Sequence, residues 1–299
     1  MKDIDDKVRA LGTAFTPEQI TGSMALFSPL LERYSEADVI RDIAYGPDAR
    51  NRLDLFGSSA DGGGRPVVVF IHGGGFIRGD KGGAGTPYYN NVGAWARAEG
   101  WLGVTGTYRL APDHMWPSGA EDVAAIVRWL RENALAHGGD RDKIIVFGQS
   151  AGAAHVASYI GCDGFADVAE SSIAGAIFMS GVYDLVNAAH SPYEVAYYGS
   201  DSIKYAEQSS VEGLARTTLP CLFAVSENDP EAFQRQAAFA VERWVLQKGK
   251  WPRFVQFEAQ NHISTVHQIG STADRVGPVL ARFVTEVCAR RSSTPSLAR

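Results

Sequence analysis

The sequence predicts an α/β protein: a mostly parallel sheet of eight strands, covered by helices on both faces and carrying a small cap. Three observations lead there. Short apolar runs of strand length alternate with longer helical patterns, as crossover-connected parallel strands require. The run Val67-Val68-Val69-Phe70-Ile71 is apolar without alternation, which suits a strand buried on both faces. The segment from Asp184 to Thr218 breaks the rhythm and exceeds an ordinary crossover, as lids and binding loops do.

In chain order, Thr16 to Tyr34 is expected as a helix, with Thr16 capping, Pro17 at the first position and Pro29 kinking or splitting it. Asp38 to Tyr45 and Arg50 to Phe56 form a hairpin across Gly46-Pro47-Asp48. Asp61 to Gly64 is a flexible connector. After the strand ending at Ile71, residues 87 to 99 can form a helix and Trp101 to Thr107 a strand. Gly119 to His137 repeats Ala120, Val123, Ile126, Val127 and Leu130 on one helical face and stops at Gly138-Gly139. Lys143 to Phe147 is a strand and Ala151 to Ile160 a helix. Strands follow at Ile173 to Met179, Cys221 to Val225 and Phe254 to Phe257, and an amphipathic helix at Ser271 to Arg290. The chain is expected to be a single domain over residues 1–299, with cap elements from about 1–37 and 184–218 and a disordered tail at 291–299.

Composition narrows the function classes. The chain has 299 residues, is 45% hydrophobic and 21% charged, and has a net charge of -6, which fits one sizeable core. No long basic run is present, so no nucleic-acid partner is expected. No apolar run approaches a membrane span, and the N-terminus lacks the apolar core of a secretory signal; the expected location is cytoplasmic, without a membrane partner. The three cysteines, Cys162, Cys221 and Cys288, are too scattered for a disulfide framework or a metal site.

Chemistry concentrates around Val146 to His155. Gly148-Gln149-Ser150-Ala151-Gly152 places a serine between two glycines where a buried strand meets a helix. That is the pattern of a nucleophile elbow, with the serine projecting above the sheet. Serine needs a general base, and the base needs a carboxylate, here in the chain order Ser, acid, His. His262 follows the last strand, beyond the carboxyl end where ligands bind in such sheets. His267 is expected on polar helical surface. Asp229, in the turn Asn228-Asp229-Pro230 after the seventh strand, is the favoured acid, with Glu227 as its competitor. The glycine run His72-Gly73-Gly74-Gly75 can bring backbone amides close to a ligand, so Gly74, Gly75 and Ala151 are assigned to an oxyanion hole, and His72 to loop structure. Phe27, Phe76, Tyr193, Tyr197 and Tyr198 are the expected walls of the substrate pocket. No cofactor and no metal are called for, since the histidines show no ligand spacing.

With these residues in place the chain resembles the α/β-hydrolase superfamily, and within it the hormone-sensitive-lipase-like carboxylesterases. The resemblance rests on His72-Gly73-Gly74-Gly75-Phe76, on the stretch from Tyr108 to Val123 beginning Tyr-Arg-Leu-Ala-Pro, and on the serine pentapeptide, in that order. It implies the α/β-hydrolase fold, and it maps the acid onto Asp229 before Pro230 and the base onto His262. Gln149 stands where that family usually has Asp. Tyr45 to Phe56 and His72 to Lys81 are similar to the kynurenine formamidase and feruloyl-esterase-like branches. The expected activity is a serine carboxylesterase acting on short-acyl or aromatic esters through an acyl-enzyme. The alternatives are an arylformamidase-like amidase, another reaction on the same fold, or a non-catalytic ligand-binding homologue. The expected partner is a small-molecule ester, with a homodimer left open.

Overall fold

The computed structural model describes residues 2–59 and 63–292; Asp61 and Gly62 of the expected connector, and the expected tail from residue 293 onward, lie outside them. Eight strands form one sheet: β1 (Val39–Ala44), β2 (Arg52–Phe56), β3 (Arg65–Ile71), β4 (Leu102–Gly106), β5 (Gly139–Gln149), β6 (Gly175–Met179), β7 (Cys221–Asn228) and β8 (Arg253–Asn261). Their spatial order is β1-β2-β4-β3-β5-β6-β7-β8. β2 is antiparallel to both β1 and β4, and every later pairing is parallel. This is the α/β-hydrolase fold.

Helices cover both faces: α1 (Lys2–Ala10), α2 (Pro17–Phe27), α3 (Asn90–Ala98), α4 (Ser118–Asn133), α5 (Ala151–Gly161), α6 (Ala166–Ser172), α7 (Pro192–Tyr198), α8 (Tyr205–Gln208), α9 (Val211–Arg216), α10 (Glu231–Lys248), α11 (Ser264–His267) and α12 (Gly277–Ser292). The continuous apolar strands explain the two cores. Val67, Val69, Ile71, Ile144 and Val146 point to one side, against α4 and α5. Val68, Phe70, Ile145 and Phe147 point to the other, where Leu280, Phe283 and Val284 of α12 cover them. Because β-strand side chains alternate, a strand between two cores must be apolar at every position.

Several elements differ from expectation. The helix expected from Thr16 to Tyr34 ends at Phe27, and Ser28–Leu30 is a tight 3-10 turn containing Pro29. Its start is as predicted: the Thr16 hydroxyl accepts from Gln19 N–H at 3.2 Å. The last helix begins at Gly277 and not Ser271, because the Asp274 carboxylate turns back to accept from the amides of Gly270, Val276 and Gly277. Helix α1 was not anticipated; it is mostly charged, and Val8 alone of its residues is buried. The insertion after β6 folds into α7, α8 and α9, and contributes to a cap over the carboxyl ends of the strands.

Strand register sets up the site. Ile71 pairs with Gly148, Gln149 with Met179, Met179 with Ala224, and Asn228 with Asn261. The loops after β3, β5, β6, β7 and β8 therefore leave the sheet at one level, side by side. The loop after β3 is tied at its far end: Lys81, almost fully buried, bonds the carboxylates of Asp54 and Asp42 at 2.8 Å each, and Arg41 bonds Asp54 at 2.7 Å. Among the described residues no helix is long and apolar enough to cross a membrane.

Candidate active site

β5 runs directly into Ser150, whose backbone sits at φ 55°, a left-handed conformation that is strained for a residue with a side chain. The turn is possible because its flanks lack side chains. A Cβ on Gly152 would come within 2.1 Å of the Ile71 carbonyl oxygen, and one on Gly148 within 2.5 Å of the Gly152 oxygen. The two glycines thus let α5 pack hard onto β3 and β5. The Ser150 amide donates to Met179 O at 2.8 Å, which fixes the turn against β6.

The serine points toward His262. Ser150 Oγ lies 2.9 Å from His262 Nε2, and His262 Nδ1 lies 2.7 Å from Asp229 Oδ1. A carboxylate only accepts, so Nδ1 carries the proton and Nε2 is left to accept from the serine hydroxyl. All three side chains are buried. Asp229 Oδ2 accepts from the Ser226 amide at 2.7 Å and from the Ser180 hydroxyl at 2.6 Å. Ahead of His262, the Asn261 side chain accepts from the amides of Ile263 and Ser264 and so fixes the turn between β8 and α11 that carries the imidazole. Glu227, the competing acid, points elsewhere: its carboxylate accepts from the Ala259 amide and lies 3.6 Å from Arg9.

These groups border a cavity of about 640 Å³, walled by Phe15, Gly75, Phe76, Ala151, Val182, Tyr193, Phe233 and Phe239 together with Ser150 and His262. Gly75 and Ala151 are at its edge beside the serine; Gly74 is one residue back and does not line it. Gly74 is needed for the loop itself, since at φ 138° a Cβ there would meet the Arg78 carbonyl at 2.0 Å.

Three of the expected pocket residues are not walls. Tyr197 and Tyr198 are buried behind Phe76, with Tyr197 stacked on it at 4.7 Å and accepting from the Gly119 amide at 3.0 Å. Phe27 faces away, packed near Ile4, Gln260 and Gln268. Phe76 and Tyr193 do line the cavity. The residues sequence reasoning missed are Phe15, Phe233 and Ser180. Phe233 stacks on the His262 ring at 4.2 Å, and Phe15 meets it edge-on at 5.5 Å. Phe233 lies in the first turn of α10, just after Asp229, and Ser180 directly follows β6; those positions beyond strand ends were the available signal.

His72, His155 and His267 are core residues. His72 is buried, stacks on Tyr108 at 4.4 Å and has Nδ1 2.6 Å from Gly73 O. His267 is not on polar surface: α11 packs against α2, and the ring stacks on Tyr88 at 3.7 Å. Burial holds His72, His155 and His267 each down to about 3, so they stay neutral.

The BD-FAE family model matches residues 53–232, more than half of the chain, including the glycine loop, the serine turn and Asp229. Esterase LipQ of Mycobacterium tuberculosis is 30% identical over 200 residues, 63% of this chain and 46% of that protein. Carboxylesterase NlhH of the same organism is 45% identical over 89 residues, 29% of this chain and 26% of that protein. The chain thus spans half or less of the length of these relatives. Among solved structures, esterase B from Lactobacillus Rhamnosis has a TM-score of 0.72 at 18% identity, covering 98% of both chains, which is a likeness of fold. With that fold, that glycine loop and that family match, the chain belongs to the BD-FAE family, within the α/β-hydrolase superfamily.

Proposed function

We propose that this protein is a serine carboxylesterase that cleaves carboxylic esters through an acyl-enzyme, with Ser150 as nucleophile, His262 as base and Asp229 as acid. The observation that carries the reading is the unbroken hydrogen-bonded series from Ser150 Oγ through His262 to Asp229 at the edge of a 640 Å³ cavity. Ester relatives such as LipQ and NlhH support it. As Ser150 Oγ bonds to the ester carbonyl carbon, His262 Nε2 takes its proton. The carbonyl oxygen becomes an oxyanion beside Gly75 and Ala151, whose amides, with that of Gly74, are the proposed donors. The imidazolium then gives its proton to the departing alkoxide. Water, losing a proton to the same nitrogen, attacks the acyl carbon, and as the acyl bond to Ser150 breaks the imidazolium returns that proton to Ser150 Oγ and the acid leaves. Asp229 holds Nδ1–H throughout and stabilises the positive ring. The substrates proposed are esters with short acyl or aromatic groups, which the apolar walls of Phe76, Val182, Tyr193 and Phe239 suit. The chain acts as one domain, with segments 1–37 and 184–218 as its cap.

The test is hydrolysis of a panel of p-nitrophenyl esters beside N-formyl anilides, with fluorophosphonate labelling of wild type and Ser150→Ala. Ester turnover and labelling in wild type, both lost in Ser150→Ala at unchanged thermal stability, are the expected results. Turnover that survives the substitution would overturn the reading, and faster cleavage of the anilides would move it to an amidase.

A further inference from the structure

The structure assigns Ser180 a role as positioning residue for the reaction: its hydroxyl sets both the orientation and the charge of the Asp229 carboxylate that holds His262. This rests on the reading above of Asp229 and His262. The Ser180 side chain is buried and its Oγ is 2.6 Å from Asp229 Oδ2, the oxygen that does not face the imidazole. The hydroxyl donates, because a carboxylate can only accept. With the Ser226 amide on the same oxygen, Asp229 is fixed at three points, and Oδ1 is aimed at Nδ1.

Two further observations separate Ser180 from ordinary core polarity. Its backbone is at φ 51°, the left-handed region that a side chain disfavours and that Gly adopts freely. A small polar residue kept in a glycine conformation points to a use for its hydroxyl. The residue is also held rigidly: it directly follows β6, and its amide donates to Ala224 O of β7 at 2.8 Å. The hydroxyl is thereby mounted on β6 and on β7, the strand that leads into the acid, while Asp229 itself sits on a turn.

The consequence is electrostatic as well as geometric. A donor on Oδ2 draws negative charge toward that oxygen and away from the bond to His262. Removing it leaves Asp229 freer to rotate and a stronger acceptor for Nδ1–H. The charged and titratable neighbours are few. Tyr183 lies near Asp229, its phenol pushed up first by burial and further by the Asp229 charge. The pairs Glu227–Arg9 and Glu231–Arg235 lie on the surface beside the turn. Phe15, Phe233 and Ser150 face the imidazole.

The experiment compares full-length wild type, Ser180→Ala and Ser180→Gly. The alanine variant removes the bond and keeps the left-handed strain; the glycine variant removes both. In each, kcat/KM for p-nitrophenyl acetate should fall about tenfold, and its acid limb should move to higher pH by about half a unit. A second readout needs no turnover: the downfield proton resonance of the His262–Asp229 bond, identified by its loss in His262→Gln, should move further downfield in both variants. Thermal unfolding should rank Ser180→Gly at or above Ser180→Ala. A wild-type acid limb and a wild-type resonance in both variants would overturn the inference and leave Ser180 as packing. If Ser180→Ala does not fold, the glycine variant decides alone. If wild type hydrolyses no ester while the resonance still moves, the positioning role stands and the esterase reading falls.

Discussion

Asp229 and Glu227 leave the same strand end, and their surroundings give them different tasks. Asp229 is buried, faces His262 and has no solvent route for its charge other than the bonds it makes. Glu227 is half-exposed and caps the Ala259 amide beside Arg9. Asp229→Asn should lower kcat/KM by about 10³–10⁴, because an amide oxygen or nitrogen cannot hold the Nδ1–H tautomer with a compensating charge. Glu227→Gln should stay within about threefold. Both are measured on one p-nitrophenyl ester with the folded fraction checked by thermal unfolding; a larger loss in Glu227→Gln would reassign the acid. A similar division separates two tyrosines of α7. Tyr193 touches the cavity and is crossed by the Arg78 guanidinium, so Tyr193→Ala should change the ranking of acetate, butyrate, octanoate and benzoate esters. Tyr197 stacks on Phe76 in the core, so Tyr197→Ala should cost about 3 kcal/mol or more in chemical denaturation, the usual range for a buried aromatic.

At the scale of elements, the elbow depends on close approach of β3, β5 and α5. Gly152 faces the carbonyl oxygens of Ile71 and His72, which belong to the backbone and cannot swing aside as a side chain could. Gly152→Ala must push α5 away from β3 and displace Ser150 from His262. The expected result is at least a tenfold loss of turnover together with a lowered unfolding midpoint. Gly83→Ala is the matched control, since nothing lies within 4 Å of a Cβ there, and it should behave as wild type. Equal behaviour of the two variants would show that the elbow tolerates a looser contact than its geometry indicates.

For the molecule as a whole, three buried histidines set the acid side of stability. His72, His155 and His267 are held down to about 3 by burial, against an ordinary value of 6.5. Neither ring nitrogen of His155 has a hydrogen-bond partner among the described residues. Below pH 6.5 the unfolded chain binds protons that the folded chain refuses, so the folded state loses ground as pH falls. The stabilising difference is complete above about 6.5 and is lost progressively toward 3, at up to about 1.4 kcal/mol per pH unit for each ring. Unfolding midpoints should therefore drop steeply between pH 6 and pH 4. His155→Phe, which keeps a ring among Phe76, Tyr108 and Tyr197, should flatten that drop by about a third. Parallel pH curves for the two proteins would mean that His155 takes a proton in the folded state.

Much of this was legible in the chain because it is encoded locally. Alternating strands and helices, the double-sided apolar run from Val67 to Ile71, and the glycines around Ser150 each express a short-range constraint of the backbone or of one buried face. His262 and Asp229 were within reach because each lies just past a recognisable strand end, and parallel strands bring those ends to one level. Folding in three dimensions decided what no local pattern holds. The sequence favours Asp229 in its Asn-Asp-Pro turn but leaves Glu227 two residues away as a competitor, and only the orientation of that turn sends the first to His262 and the second to Ala259. The aromatic walls were divided the same way: Tyr197, Tyr198 and Phe27 turned into packing, while Phe15, more than 240 residues before His262, came to rest against its ring. Ser180 gained its partner from the register between β6 and β7. Side-chain identity and periodicity state which face is buried; which groups meet across that face depends on strand order, register and loop path, which long-range packing alone determines.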